Sequence, residues 1–428
     1  MDVKFGDLTK NMKYVVSNIK CGNEATILIR VNVGSRDEVD SIKGISHCLE
    51  HMFFRGTGKY PTQNDLTTEI HRCGGDFNAY TSKDSTVFHI TVSKKCIEKA
   101  VEIISDAFYN SLFREEDLEK EKKIVINEIN DHLSDPETIM QYGLDELVFK
   151  NTRLEKDIAG TVKTVKGITI NMLKNFINTY YTNNVVVSLS GNINVKKSIS
   201  LIKKYFHKPV NYPVQKNTTI TKDKGRILYP NYMKKQKCFQ TKYISKKVEQ
   251  SFIGIGFPSY EYKNDKKYVI SIITDILAGY LGSRLYQRLR GKHGLVYGIN
   301  VEVESYLDLS QTYVTCSTKN DLESIIKSIV IILQELNKVK FNTVTDKELK
   351  LSISNYIENI KNLKNDNESL ADKYARDLSY YNRVVPLEEL IKKYKAVTRK
   401  EICEVAKELF RKEKCSICYT ATNKVILQ

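Results

Sequence analysis

The same order of predicted elements runs twice through this 428-residue chain, and no other feature constrains its fold as tightly. In the first half the strand ATILIRVNVGS precedes a helix from about Gly44 and a second helix, PTQNDLTTEIHRC. Pro61-Thr62 and Gly74-Gly75 are suitable start and stop signals for that second helix. FNAYTSKDSTVFHITVS then reads as an antiparallel hairpin, two β-rich runs joined by the polar SKDS. Helices at about 95–110, 115–133 and 137–149, the strand VVVSLSGNI and the helix VKKSISLIKKYF complete the set. In the second half SFIGIGF, YVISIITDILAGYLGSRLYQRLR, GLVYGINVEVES and QTYVTCST give strand, helix, strand and strand. Two helices, DLESIIKSIVIILQELNKV and VTDKELKLSISNYIENIKNL, follow. This repetition predicts an α+β chain of two similar domains of roughly 200 residues, each a mainly antiparallel sheet packed with helices. The expected division is 1–207, a linker at 208–250 rich in Pro, Asn, Thr and Lys, and 251–428.

The two runs differ where chemistry is concerned. Laying SHCLEHMFFRGT on ITDILAGYLGSR places Thr274, Leu277 and Ala278 opposite His47, Glu50 and His51. The second copy keeps the helix and lacks the polar triplet, which assigns the chemistry to the first domain. On a helix, positions four apart stand one above the other, so His47 and His51 can aim at one point, with Glu50 on the same face. Two imidazoles on one turn suit zinc, and a carboxylate held beside them can act as general base toward a metal-activated water. The ordinary alternative is a half-buried amphipathic helix whose histidines bond locally. Ile45, Leu49, Met52, Phe53 and Phe54 show that one side of the helix is indeed core, and Cys48 is assigned to packing. Yet H-x-x-E-H arises by chance in such a composition only about once in a hundred sequences. A catalytic zinc needs a third protein ligand and an open position. REEDLEKEKKIVINEINDHL carries Glu121 and Glu128 seven apart on one helix face. Each has the ordinary reading of a surface charge, and spacing alone does not choose between them.

Bulk properties remove other classes. The net charge of +16 comes from lysines spread along the chain and interleaved with acids, so no contiguous basic arm predicts nucleic-acid binding. No stretch approaches the ~20 apolar residues of a membrane span. The N-terminal MDVKFGDLTKNMKYVVSNIK carries Asp2 and Asp7 and no apolar block, which argues against a signal or transit peptide; the expected compartment is the cytoplasm. The 9 cysteines, an odd number, read as reduced thiols. Cys415 and Cys418 lie three apart on a predicted strand and so face opposite ways.

HCLEHMFFRGTGKY, GGDFNAYTS and EKEKKIVINEI together resemble the pitrilysin and mitochondrial-processing-peptidase family of zinc peptidases, which carry the inverted H-x-x-E-H motif. The resemblance implies one zinc per chain held by His47, His51 and Glu128, with Glu50 as general base and Glu121 orienting a ligand. It implies that Gly75 and Asn78 to Thr81 belong to an edge strand to which a peptide substrate adds, with Asn78, Ala79 and Tyr80 binding it, and that Arg290 and Tyr297 contact the substrate. It further implies that Asn355, opposite Glu128 in the repeat, belongs to a domain without metal ligands. The chain would be half of a clamshell, paired as a homodimer or with a related subunit. The expected function is endopeptidase action on extended peptides or small unfolded polypeptides. The alternative is a catalytically silent scaffold or partner subunit, against which the intact ligand set argues.

Overall fold

The structure, a computed structural model, describes residues 2–20, 22–182, 185–214, 226–341 and 343–425. It has two compact units, and neither is a continuous stretch of sequence. The first unit comprises Met1–Ile129, Asp157–Ile227 and Lys361–Pro386. Its sheet holds six strands, β1 (Asp2–Thr9), β2 (Met12–Asn18), β3 (Glu24–Val31), β4 (Asp76–Thr81), β5 (Thr86–Ser93) and β6 (Val185–Gly191). They lie in the order β1-β2-β6-β3-β5-β4, antiparallel except for β2 beside β6. The core face of β3 and β5 is built from Ile27, Ile29, Phe88 and Ile90, alternating as strand geometry demands. Against it pack α1 (Ile45–Met52), α2 (Gln63–Arg72) and α3 (Ile97–Asn110), and α4 (Glu115–Ser134) follows in the chain. The opposite face is covered by the helix Asn367–Tyr381, which buries Leu370, Ala371, Tyr374, Ala375 and Leu378.

The second unit comprises Asn130–Lys156, Leu228–Ile360 and Leu387–Gln428. Its five strands are β7 (Gln240–Ser245), β8 (Gln250–Ser259), β9 (Val296–Ser305), β10 (Ser310–Lys319) and β11 (Ser416–Ala421), in the order β7-β11-β8-β10-β9. Helices Lys266–Ala278, Leu322–Val339 and Arg399–Leu409 share one core with this sheet. The other face holds α5 (Pro136–Val148), which comes from the first half of the sequence. Each sheet is therefore covered on one side by a helix from the other sequence half. The close fit of α5 depends on absent side chains. A Cβ on Gly143 would stand 2.5 Å from Cys418 Sγ, and one on Gly254 of β8 would stand 2.4 Å from Met140 Sδ.

Several elements depart from the sequence reading. β1 and β2 precede the first expected strand; β1 is a half-exposed edge whose apolar residues do not alternate cleanly. The helix expected over 268–290 ends at Ala278, where Gly279 and Gly282 turn the chain into a π-helical segment, Tyr286–Lys292. β7 lies inside the expected linker; residues 215–225 of that linker fall outside the described residues. Cys415 packs in the helix-covered core and Cys418 beneath α5, on opposite faces of the sheet. The eight described cysteines are free thiols. No helix of the described residues is long and apolar enough to cross a membrane.

Candidate metal centre

α1 is fixed at its start by a glycine and a buried carboxyl group. Gly44 precedes it at φ +89°, and a Cβ there would meet the Ala159 carbonyl at 2.3 Å, so glycine is required. The Glu38 carboxylate accepts hydrogen bonds from the backbone amides of Gly44 and Ser46, both at 2.8 Å. Two of the orphan donors that every helix start presents are thereby satisfied. Burial nevertheless pushes the Glu38 carboxyl up to about 8, against those two bonds.

From this start the helical repeat sends Ile45, Cys48, Leu49 and Met52 into the core and leaves His47, Glu50 and His51 on the open side. The two imidazoles lie 4.7 Å apart between centroids, at 81° to each other, and are 18% and 17% exposed. Ligand atoms of His47, Glu50 and His51 all fall within 4.8 Å of one another, the sole such group of three metal-capable side chains among the described residues. Cys48 is directed into the core with Leu49 and Met52, away from the histidines, and burial there pushes its thiol up to about 12.

α4 delivers the two glutamates. Its first turn carries Glu115, Glu116 and Asp117, favourable at a helix start. Glu121 and Glu128 then stand two turns apart on one face. One Glu128 oxygen, Oε2, lies 3.7 Å from His47 Nε2 and 3.6 Å from His51 Nε2. Bonds of ~2.1 Å in a tetrahedron put neighbouring ligand atoms ~3.4 Å apart, so the two edges from Glu128 match those of a zinc site. Glu121 is fully buried and divides its oxygens, Oε2 facing His51 Nδ1 at 2.9 Å and Oε1 paired with Arg55. With Nδ1 engaged there, His51 turns Nε2 toward Glu128, the arrangement that orients a metal-ligating imidazole. Burial opposes charge on His51, but the Glu121 hydrogen bond and the charges of Glu128 and Glu50 outweigh it and raise its pKa.

Glu50 is held from β4. The Thr81 hydroxyl donates to Glu50 Oε2 at 2.6 Å. Burial raises the Glu50 carboxyl, offset in part by Thr81 and by His51. β4 ends its sheet and pairs only with β5 among the described residues, with Asn78 opposite His89 and Tyr80 opposite Val87. Asn78 and Tyr80 are exposed and Ala79 half-buried. Arg290 and Tyr297, in the second unit, are brought to each other: the Arg290 guanidinium sits 5.0 Å from the centre of the Tyr297 ring, which is 80% exposed.

The second unit repeats the frame without the ligands. Where α1 has Cys48, the helix Lys266–Ala278 has Asp275, which accepts hydrogen bonds from Ser352 at 2.5 Å and Asn355 at 2.8 Å. Arg284 makes a two-pronged pair with Glu348 at 2.6 and 2.9 Å. Glu348 stands opposite Glu121 in the same alignment that sets Asn355 opposite Glu128. Glu38 and Arg55 were not singled out from the sequence, and Thr81 was named only as the end of the edge strand, not as a partner of Glu50. Alternation along β4 turns Thr81 inward, but nothing local names its partner.

Comparison with known proteins agrees with this geometry. Residues 14–162 match the family described as insulinase, peptidase family M16, and residues 167–356 match the M16 inactive domain. A Bacillus subtilis protein named as an uncharacterised zinc protease is 27% identical over 407 residues, 94% of each chain. The β subunit of the mitochondrial processing peptidase of Dictyostelium discoideum is 34% identical over 187 residues, 43% of this chain and 40% of that one. The crystal structure of a Helicobacter pylori protease superposes with a TM-score of 0.87 at 21% identity, covering 98% of this chain and 99% of that one. The two family models, matched in tandem along most of its length, make this chain a member of peptidase family M16.

Proposed function

We propose that this protein is a zinc metalloendopeptidase acting on extended peptides or small unfolded polypeptides. One observation carries the reading: a single Glu128 oxygen lies at tetrahedral-edge distance from both Nε2 atoms of a histidine pair that has Glu50 beside it. His47, His51 and Glu128 would hold one zinc per chain, and Glu121 would keep His51 in the ligating tautomer. Zinc, when bound, supplies a Lewis acid that polarises a carbonyl and brings the pKa of a coordinated water to ~7.

The chain's own groups account for the rest. Glu50 takes the proton of the attacking water and returns it to the leaving amine, a shuttle that needs a carboxylate fixed near both partners. Free backbone groups on β4, around Asn78, Ala79 and Tyr80, suit a peptide that docks as a further strand. The stacked Arg290–Tyr297 pair offers a cation and a phenol to a substrate carbonyl or to developing negative charge. In a homodimer, or a pair with a related subunit, these two would serve the partner's zinc. The cytoplasm remains the expected compartment, and a silent scaffold role is disfavoured by a complete set of ligands and base.

The test is hydrolysis of a mixed library of unstructured 15–30-residue peptides, a length range of about 50–100 Å extended, read by mass spectrometry. Wild type and Glu50→Gln are compared, each with its zinc content measured. Cleavage by wild type alone, with zinc in both, is the expected result. Equal cleavage by both proteins would place the chemistry elsewhere, and zinc without any cleavage would favour the scaffold.

A further inference from the structure

We infer that Thr81 is a positioning residue that ties the base Glu50 to the strand on which substrate is laid, an inference that rests on the zinc-peptidase reading above. The argument begins with alternation. Directly paired residues share a face, and β4 pairs Asp76 with Thr91, Asn78 with His89 and Tyr80 with Val87. Phe77, Ala79 and Thr81 therefore point to the other side, where Phe77 and Ala79 meet the core that also holds α1. Thr81 is the last of these three, and it is polar because its neighbour is Glu50.

The Thr81 hydroxyl has one described role. It donates to Glu50 Oε2 at 2.6 Å, within the range of charge-assisted O–H···O⁻ bonds. The hydroxyl of its cross-strand partner Thr86 is engaged elsewhere, donating to the Val33 carbonyl at 2.9 Å, so the two threonines do not compete. The chain just beyond Thr81 is pinned. The Ser82 amide donates to the Ser85 carbonyl at 2.7 Å, the two serine hydroxyls lie 2.9 Å apart, and Asp84 and Ser85 are buried. A β-branched side chain on such a strand end has little rotamer freedom. Thr81 thus offers its hydroxyl from a fixed place and orders Glu50 Oε2, with its own backbone also bonding that carboxyl group more weakly.

The consequence is a direct link between docking and chemistry. Tyr80, in the stretch that would pair with a peptide backbone, adjoins the residue that holds the base. The register of a bound peptide and the place of the proton acceptor are set by one strand, and catalytic groups must be held to within ~0.5 Å of productive geometry.

The experiment uses zinc-loaded full-length wild type, Thr81→Val, which keeps the shape and removes the hydroxyl, and Thr81→Ser, which keeps the hydroxyl. Zinc content, Tm, and kcat and KM on a peptide found to be cut are measured. Thr81→Val is expected to lower kcat roughly 10- to 100-fold, part of what general-base catalysis contributes, with KM changed less than about twofold. Zinc content and Tm should hold, and Thr81→Ser should recover most of kcat. Unchanged kcat in Thr81→Val, or a rise in KM that Thr81→Ser fails to rescue, would overturn the inference. Crystal structures of wild type and Thr81→Val supply a readout free of activity. Glu50 is expected in one conformer on Thr81 in wild type, and rotated or split in the variant. If wild type cuts no peptide yet Glu50 loses its place in Thr81→Val, the peptidase reading fails while the Thr81 contact stands. If Glu50 does not move, the contact carries nothing.

Discussion

Glu121 has no exposure to solvent and no spare oxygen, since one faces His51 and the other pairs with Arg55. A buried carboxylate of this kind is tolerated only while both partners remain. Glu121→Gln should therefore weaken zinc binding by roughly 10- to 100-fold, as loss of a ligand's outer partner does. Competition with a chelating dye measures this, and an unchanged affinity would show that His51 needs no such support. Glu38 gives a pH-dependent counterpart. Its carboxyl is raised from 4.5 to about 8 by burial, so the folded chain holds that proton more tightly than the unfolded chain. Its contribution to stability is then complete below 4.5 and is lost as pH rises toward about 8. In metal-free protein, the Tm of wild type minus that of Glu38→Gln should shrink between about pH 5 and pH 8.5. A difference that grows with pH would mean that the ionised form is preferred at the start of α1. These residues also mark how far a sequence can be read. His47, Glu50 and His51 are legible because four-residue spacing is a property of any helix. Glu128 needed a family resemblance, because its 77-residue separation from His51 is closed by the fold. Glu38, Arg55 and the bond from Thr81 to Glu50 escaped because these partners are met only in three dimensions.

At the level of elements, an arginine–glutamate pair in each unit separates what holds the helices from what holds the metal. Glu121 and Glu348 correspond in the repeat and each pairs with an arginine, Arg55 and Arg284, although the two arginines are two positions out of step. Burial alone would raise the Glu348 carboxyl, but Arg284 and the Thr345 amide bring it down to about 2. We expect Arg284→Met and Arg55→Met both to lower Tm, and only Arg55→Met to weaken zinc binding. A zinc defect in Arg284→Met would break this division. The seat of α5 is a second test. Gly143→Ala drives a methyl into Cys418 Sγ and should destabilise by about 1–3 kcal/mol, as overpacking of a filled interior does. Denaturant titration measures it, and a neutral result would mean that α5 can lift off its sheet at little cost. That a helix occupies 137–149 was legible from periodicity. Which sheet it covers was not, because an apolar stripe demands burial without saying against what.

For the whole molecule, the interleaving of sequence decides what can fold alone. A fragment of residues 1–214 contains all six strands of the first sheet but lacks the helix Asn367–Tyr381 that covers one face. Such a fragment should be poorly folded by circular dichroism and amide-proton dispersion. Appending Lys361–Pro386 through a flexible linker should restore order. A native-like spectrum from the bare fragment would show that the covering helix is dispensable. The twofold order of elements could be read from the sequence because local patterning repeats. The exchange of helices could not, since it changes no local pattern.

That exchange bears on how such a chain can change over generations. A duplicated segment is ordinarily free to decay once its twin does the work, and a single deletion can then remove it. Here the second copy has no counterparts of His47, Glu50, His51 and Glu128, yet it encodes the helix that roofs the other copy's sheet, and receives one in return. Side chains of the second half can be replaced one at a time; excision of that half would leave its sister without a roof.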